Sequence, residues 1–196
     1  PMALETEKSI KFLFVGGAIY RKGIDVLLKA YRETFTRSDD VCLVIKGMGD
    51  ETFYKGQTPV LTIRKLQAAP EAPEVLYLTD DLTEEQMAGL YTACDCLVHP
   101  YRGEGFGMPV AEAMACGLPL IGTKITGIKE EVEHKKTGYL CETSPESIAQ
   151  AISEVMKNKT MRRELGEAGR QHVVDHYSLD RILELELRAL REVLQP

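Results

Sequence analysis

The sequence predicts an α/β domain in which a doubly wound parallel sheet of six strands carries helices on both faces. Short apolar runs, each closed by glycine or polar residues, recur along residues 10–141 and are typical of buried strands. Segments with apolar residues at helical spacing lie between these runs. Strands that alternate with helices in this way favour a parallel sheet covered on both sides.

The strands are predicted from the position and ending of each apolar run. The first run, IKFLFV, ends at Gly16-Gly17, and the second, VCLVI, ends at a turn that begins with Gly47. Glycine and proline are the usual residues at such boundaries. The complete set of predicted strands is 10–15, 41–45, 75–78, 96–99, 118–122 and 138–141.

The helices between the strands are predicted from spacing and from end signals. Residues 24–35 place their apolar side chains on one helical face. Pro59 interrupts the segment after the second strand, so we expect a loop and then a short helix from about Val60. Thr83 and Gln86 have the spacing of a capping box, which opens the next helix.

The chain is predicted to be helical from Ser144 onward, with a last helix at about 178–194. The apolar residues of that last helix cover an arc of roughly 200°, whereas packing on one domain usually needs about 100°. Two interpretations stay open: the helix bridges to a second body absent from the chain, or it is seated deeply among its own neighbours. The expected organisation is a lead segment at 1–9, the domain at 10–177 and the terminal helix at 178–196.

Composition excludes several function classes. The 196 residues have a net charge of −6 and no long basic run, so nucleic-acid binding is not expected and membrane contact is not indicated. No apolar run approaches 18 residues, so neither a membrane span nor a signal peptide is expected. The five cysteines are odd in number and lie mostly in apolar runs, which favours reduced thiols and a cytoplasmic location.

A metal site is not expected. Cys94, Cys96 and His99 offer soft ligands close together in the sequence. However, Cys96 and His99 lie in a predicted strand, where residues three apart point to opposite faces. Packing is therefore favoured over zinc binding. The chain also contains no Asp-x-Asp, so a metal-held sugar nucleotide of the type that this motif anchors is unsupported.

Polar segments follow the predicted strands at the edge of the sheet where ligands of such domains bind. After the first strand, a glycine turn delivers Arg21 and Lys22 to the start of a helix, where anions are favoured. The turn lacks the Gly-x-Gly-x-x-Gly pattern of dinucleotide binding. The alternative is a solvated surface pair. Residues 123–127, after the fifth strand, add a weaker polar loop on the same rim.

The segment after the fourth strand is the most informative. Its glycines allow a backbone close to a ligand, and Pro109 suits the first turn of a helix. Glu104 then lies in the loop and Glu112 about one turn inside the helix. Ordinary capping and solvation is the alternative, but apolar neighbours such as Phe106 and Met114 argue against a freely solvated Glu112. A carboxylate near hydroxyls, beside amides near a phosphate, is chemistry suited to a nucleotide sugar.

These segments resemble the C-terminal, donor-binding domain of retaining glycosyltransferases of the GT-B fold, family 4, the glycosyl transferases group 1 domain. VGGAIYRKGIDVLLKAY is similar to the first phosphate loop and helix of that family. The block EVLYLTDDLTEEQMAGLYTACDCLVHPYRGEGFGMPVAEAMACGLPLIGT resembles its centre, including Glu-x7-Glu, and TGYL resembles its closing strand. The resemblance implies a Rossmann-like domain that forms one half of a GT-B fold.

The resemblance also implies roles for single residues. Glu104 would contact the donor sugar near the reacting centre, and Glu112 would accept hydrogen bonds from the ribose hydroxyls. Lys22, with Arg21, would neutralise the diphosphate. Many family members carry arginine where this chain has Gly17, so part of the phosphate clamp would fall to Arg21. The other implied donor-binding residues are Gly105, Phe106, Gly107, Met108 and Pro109 in the loop, and Gly47, Leu78 and Leu82 around the base.

The implied function is sugar transfer from a nucleotide-diphosphate sugar, without metal or other cofactor. The N-terminal, acceptor-binding domain of such enzymes would be a missing partner of this chain. The chain alone would then bind the donor with little turnover, because approach of the acceptor and exclusion of water need that domain. Two alternatives stay open: a catalytically silent nucleotide-sugar-binding module, and a GT-B relative such as an epimerase or a phosphorylase.

Overall fold

The computed structural model describes residues 1–47 and 59–194. Six strands form one sheet in the order β3-β2-β1-β4-β5-β6, and every pair in it is parallel. This confirms the predicted doubly wound sheet. The strands are β1 (Ile10–Val15), β2 (Val41–Lys46), β3 (Glu74–Leu78), β4 (Cys96–His99), β5 (Leu120–Thr123) and β6 (Tyr139–Cys141).

Helices cover both faces of the sheet, as predicted. Phe12 and Phe14 of β1 pack in one apolar layer, whereas Leu13 between them packs in the other, because successive side chains of a strand point to opposite faces. The helices are α1 (Ile24–Thr34), α2 (Val60–Ala68), α3 (Glu84–Ala93), α4 (Met108–Ala115), α5 (Thr126–Glu131), α6 (Pro145–Lys157), α7 (Lys159–Tyr177) and α8 (Leu179–Leu194).

Local signals placed most element ends correctly. The Thr83 and Gln86 capping box is present in full, and α2 begins at Val60. The fifth strand begins at Leu120 rather than at residue 118, because Pro119 has no N–H to donate and the N–H of Leu118 returns to the carbonyl of Ala113. Residues 48–58, which include the rest of the turn after Gly47 and most of the loop predicted before Val60, lie outside the described residues.

The last helix is not seated among its neighbours. No residue of α8 is buried, and Leu187 and Leu190 remain 53% and 57% exposed. Its packing partner is α7, which it follows directly. The interpretation of a deeply seated helix is therefore wrong, because one neighbour covers only part of a wide apolar face. Among the helices that the structure describes, none is long and apolar enough to cross a lipid bilayer.

Candidate functional site

Two loops meet at the carboxyl ends of β1 and β4. The first begins with Gly16, whose φ is 147°, and a Cβ there would lie 2.4 Å from the hydroxyl oxygen of Tyr101. It ends with Gly23, whose φ is 66° and whose Cβ would lie 1.9 Å from the carbonyl oxygen of Pro100. Only glycine fits both positions, because a Cβ would meet the Tyr101 side chain at the first and the Pro100 backbone at the second, and both φ values are positive.

Hydrogen bonds fasten these two loops together. The backbone N–H of Arg102 donates to the carbonyl of Arg21 at 2.8 Å, and the guanidinium of Arg21 donates to the carbonyl of Gly103 at 2.8 Å. The guanidinium of Arg102 makes two bonds of 2.8 Å to the carboxylate of Asp25 in α1. A paired fork of this kind also fixes orientation, so the second loop is held against the start of α1.

Lys22 and Glu104 form an ion pair between the two loops. The ammonium of Lys22 lies 2.7 Å from Oε2 of Glu104 and 3.9 Å from the ring centre of Tyr101. Arg21 adds a longer contact to the same carboxylate oxygen, at 3.5 Å. Because the side chain of Lys22 is only 15% exposed, the surface-pair interpretation is wrong for Lys22, although the side chain of Arg21 is half exposed.

The charges in this pair are perturbed by burial and by each other. Burial acts to raise the pKa of Glu104, but the hydrogen bond and charge of Lys22, with the charge of Arg21, outweigh it and lower that pKa. Burial lowers the pKa of Lys22, and Glu104 offsets only part of this effect. Glu104 is therefore a carboxylate at neutral pH, held in place beside two cationic side chains.

The N-terminus of α4 lies next to this ion pair, and one of its backbone amides already donates to a protein carboxylate. The backbone N–H of Gly107 donates to Oε1 of Glu131 at 3.2 Å. Glu131 is 5% exposed, and its burial, with the charge of Glu104, raises its pKa although the Gly107 bond opposes the shift. Phe106 and Met108 remain 45% and 56% exposed beside this amide. The structure therefore leaves the loop surface open but places an internal carboxylate behind it.

Glu112 is held from an adjacent helix. Its residue is exposed, which corrects the expectation that apolar neighbours would withdraw it from solvent. Its Oε2 accepts a hydrogen bond of 2.6 Å from the hydroxyl of Tyr91, a buried residue of α3. Burial raises the pKa of Tyr91, and the charge of Glu112 raises it further. The carboxylate of Glu112 thus has one fixed oxygen and an open side for other donors.

The residues predicted around a base lie on the other side of β1. The N–H of Gly47 donates to the carbonyl of Leu78 at 2.9 Å, which joins the carboxyl ends of β2 and β3. Leu78 and Leu82 are partly exposed and pack on the apolar layer beneath α3 and α4. Gly17 is buried in the turn after β1, where its carbonyl accepts from the N–H of Ile19 at 2.8 Å.

Comparison with known proteins identifies the family. The sequence pattern of the family described as glycosyl transferases group 1 matches residues 3–172. The chain belongs to the glycosyl transferases group 1 family. An uncharacterized glycosyltransferase of Methanocaldococcus jannaschii is 31% identical over 160 residues, which are 81% of this chain and 42% of that protein. The chain therefore spans less than half the length of this curated relative.

Solved structures share the fold. Anabaena HepE in complex with UDP superposes with a TM-score of 0.82 at 20% identity, covering 94% of this chain and 49% of that one. The C-terminal domain of a group 1 family protein from Francisella tularensis superposes with a TM-score of 0.76 at 22% identity, covering 87% of both chains. The group 1 chain described here therefore shares the fold of that C-terminal domain.

Several contacts in this group 1 domain were not foreseen from the sequence. Tyr91 lies in the helix that Thr83 and Gln86 predict, but no local signal marks its hydroxyl as the partner of Glu112. Glu131 could have been found, because it follows Ile128 by three residues and so lies on the apolar side of α5.

Two other segments discussed above have their side chains in internal contacts. In the loop after β5, Lys124 pairs with Glu142 at 3.0 Å, while the hydroxyl of Thr123 donates to the carbonyl of Tyr101 at 2.5 Å, so this loop supports the site through packing. His99 is buried against the ring of Tyr101, and burial lowers its pKa to about 3. In the described part of the chain, no three His, Cys, Asp or Glu side chains converge as metal ligands would.

Proposed function

We propose that this chain is the donor-binding half of a retaining glycosyltransferase that moves a sugar from a nucleoside-diphosphate sugar to an acceptor without a metal ion. The observation that carries the proposal is the Glu104 carboxylate, held by Lys22 where the loops after β1 and β4 meet. The carboxylate can accept hydrogen bonds from the hydroxyl-rich ring of a nucleotide sugar, and the two cations beside it can bind the diphosphate. The HepE structure, of the same fold, was solved with UDP.

Each side chain has a separate task in this proposal. Lys22 and Arg21 neutralise the diphosphate and stabilise the negative charge that builds on the leaving nucleotide. The loop residues Gly105 and Phe106 present the backbone to the sugar and phosphate oxygens. Glu104 contacts the sugar near the carbon that reacts. Glu112 accepts hydrogen bonds from the ribose on the side that Tyr91 leaves open.

Metal independence is part of the proposal because this chain brings its own positive charge to the leaving group. Lys22 and Arg21 take the place that a divalent cation has in enzymes with an Asp-x-Asp motif, which these 196 residues lack. The base pocket lies around Gly47, Leu78 and Leu82. The cysteine content favours reduced thiols, so the enzyme is assigned to the cytoplasm.

The acceptor side is assigned to an N-terminal domain outside this chain. The support is the length, since the chain matches less than half of its curated relative, and the exposed apolar face of α8, which offers a surface for a second body. This chain alone then binds the donor and turns over slowly. A silent nucleotide-sugar-binding module is the second candidate, favoured by the bond between Gly107 and Glu131, which occupies one of the amides assigned to the donor.

The test is calorimetric titration of this chain with UDP, GDP and ADP, first without metal and then with Mg²⁺. We expect saturable binding of at least one nucleotide without metal. Glu112→Ala should weaken nucleotide binding, whereas Glu164→Ala, an exposed carboxylate of α7, should leave it unchanged. Absence of binding to all three nucleotides would overturn the proposal.

A second measurement separates the two candidates. In the protein that includes the acceptor domain, Glu104→Ala should lower sugar transfer much more than nucleotide affinity, because Glu104 contacts the sugar. Transfer should also persist in the presence of a chelator. Nucleotide-sugar binding with no transfer to any acceptor would favour the silent module.

A further inference from the structure

A buried lysine lies at the carboxyl end of β2, outside the ion pair described above. Lys46 is 7% exposed, and its ammonium donates to the carbonyl of the next residue, Gly47, at 2.5 Å. Within the residues that the structure describes, no carboxylate lies at ion-pair distance from it. An ammonium has three donors, and a buried charge is stable only when it is well partnered. Lys46 therefore has capacity for a further acceptor.

The sheet places Lys46 on a line with the donor site. Lys46 is paired with Val15 in the register of β1 and β2, and its carbonyl accepts from the N–H of Gly16 at 3.0 Å. Glu104 follows β4, on the other side of β1. Neighbouring strands are about 4.8 Å apart, so the ends of β4 and β2 are separated by about 10 Å. A nucleotide sugar with its sugar at Glu104 and its diphosphate at Lys22 extends its nucleoside toward β2.

The side chain of Lys46 lies on the same face of the sheet as the helix that carries Glu112. Side chains alternate along β2, so Lys46 shares its face with Cys42 and Val44, which pack beneath α3 and α4. Glu112 is on α4, and Tyr91, its partner, is on α3. A ribose held by Glu112 therefore lies on the same side of the sheet as the ammonium of Lys46.

We propose that Lys46 reads the base of the donor and selects a base with a carbonyl oxygen at the Watson–Crick edge, uracil or guanine, over adenine. This inference rests on the proposed function. The ammonium is a donor only, so it pairs with O4 of uracil or O6 of guanine, whereas adenine presents an amino group at the equivalent position. Adenine therefore leaves the buried ammonium opposite another donor.

The experiment compares UDP, GDP and ADP by calorimetry on the wild-type chain and on Lys46→Met. We expect the wild type to bind UDP or GDP about tenfold or more tightly than ADP, because a hydrogen bond from a charged donor is among the stronger single hydrogen bonds in proteins. Lys46→Met should lose most of that preference through weaker binding of UDP or GDP, with little change for ADP. Lys46→Gln, which keeps a neutral donor, should recover part of it. Lys157→Met, at an exposed position of α6, is the charge-matched control.

Probes on the unmutated chain give an independent measurement, which stays valid if Lys46→Met does not fold. Replacement of the carbonyl oxygen by sulfur, in 4-thio-UDP or 6-thio-GDP, should weaken binding several-fold. Tighter binding of ADP than of UDP and GDP, unchanged affinity for the thio-nucleotides, or an equal loss for all three nucleotides in Lys46→Met would overturn the base-reading role while leaving the donor-binding function intact. Absence of binding to every nucleotide would overturn both.

Discussion

The ammonium of Lys22 and the carboxylate of Glu104, 82 positions apart in the sequence, lie 2.7 Å from each other and join the loops after β1 and β4. The pair lowers the pKa of Glu104, so its stabilisation is present at neutral pH and is lost as the pH falls through that lowered value. Burial lowers the pKa of Lys22 despite the pair. The contacts between the two loops therefore hold this ion pair in place, and the pair keeps one cation and one carboxylate beside each other where a ligand can bind.

The hydrogen bond between Tyr91 and Glu112 predicts an effect on both stability and nucleotide binding. Tyr91→Phe should reduce the free energy of unfolding by about 1–2 kcal/mol, because a partly buried hydrogen bond to a carboxylate is lost. Nucleotide affinity should also fall, because Glu112 loses the contact that orients it. Urea denaturation and calorimetry measure the two effects.

Tyr31→Phe is the matched control for this prediction. The hydroxyl of Tyr31, also buried, donates to the backbone carbonyl of Glu74 at 2.9 Å, at the amino end of β3. Its loss should reduce stability by about 1 kcal/mol and leave nucleotide affinity unchanged. Equal nucleotide affinity in Tyr91→Phe and the wild type would contradict the orienting role of Tyr91.

Two glycines near the loop after β4 should respond differently to alanine. A Cβ on Gly127 would lie 1.7 Å from the carbonyl oxygen of Gly105, so Gly127→Ala must displace the backbone next to Glu104. We expect it to reduce the free energy of unfolding by about 1–3 kcal/mol. Gly103→Ala meets no atom within 4 Å and should change stability by less than about 1 kcal/mol. Similar denaturation midpoints for both variants would show that the close approach at Gly127 is relaxed in solution.

Glu131 predicts a pH dependence of stability. Burial raises its pKa, and the charges of Glu104 and Glu130 add to the shift, so the folded chain holds this proton to higher pH than the unfolded chain does. Stability contributed by the protonated form is complete at low pH and is lost as the pH rises through the raised pKa. Glu131→Gln keeps a neutral side chain, so its stability relative to the wild type should increase from pH 4.5 to pH 7.5.

Urea denaturation across that range measures the difference, with Glu133→Gln as a control. The hydrogen bond from Lys136 lowers the pKa of Glu133, an exposed carboxylate, so its removal should give a trend of the opposite sign. A difference between Glu131→Gln and the wild type that does not change with pH would contradict the raised pKa.

The apolar face of α8 predicts self-association of this chain in isolation. Leu187 and Leu190 are three residues apart, so they lie on one face, and both are more than half exposed. Sedimentation velocity should show larger species as the concentration rises, and Leu187→Arg with Leu190→Arg should abolish them. The unfolding free energy should change little, because no residue of α8 is buried. Arg188→Ala, the control, should leave the association unchanged. A wild-type chain that stays monomeric at all concentrations would show that this face of α8 does not mediate self-association.

The sequence alone determined the parts of this protein that depend on near neighbours. Apolar runs closed by glycine placed the strands, and Thr83 with Gln86 marked the start of α3, because periodicity and capping act over a few residues. The sequence also predicted that the loops after β1 and β4 lie at one edge of the sheet, and the structure brings them together there. Parallel strands bring their carboxyl ends to one edge, so Arg21 and Glu104 could be expected on the same rim before any contact was known.

Only the tertiary structure decided which side chains meet. Three hydrogen bonds join residues that are far apart in the sequence: Lys22 to Glu104 across 82 residues, Tyr91 to Glu112 across 21, and Gly107 to Glu131 across 24. Such contacts depend on strand order and on how helices pack, which no local pattern encodes. The exposure of α8 was undecided for the same reason: an apolar face shows that a helix can be covered, while the positions of its neighbours determine whether it is.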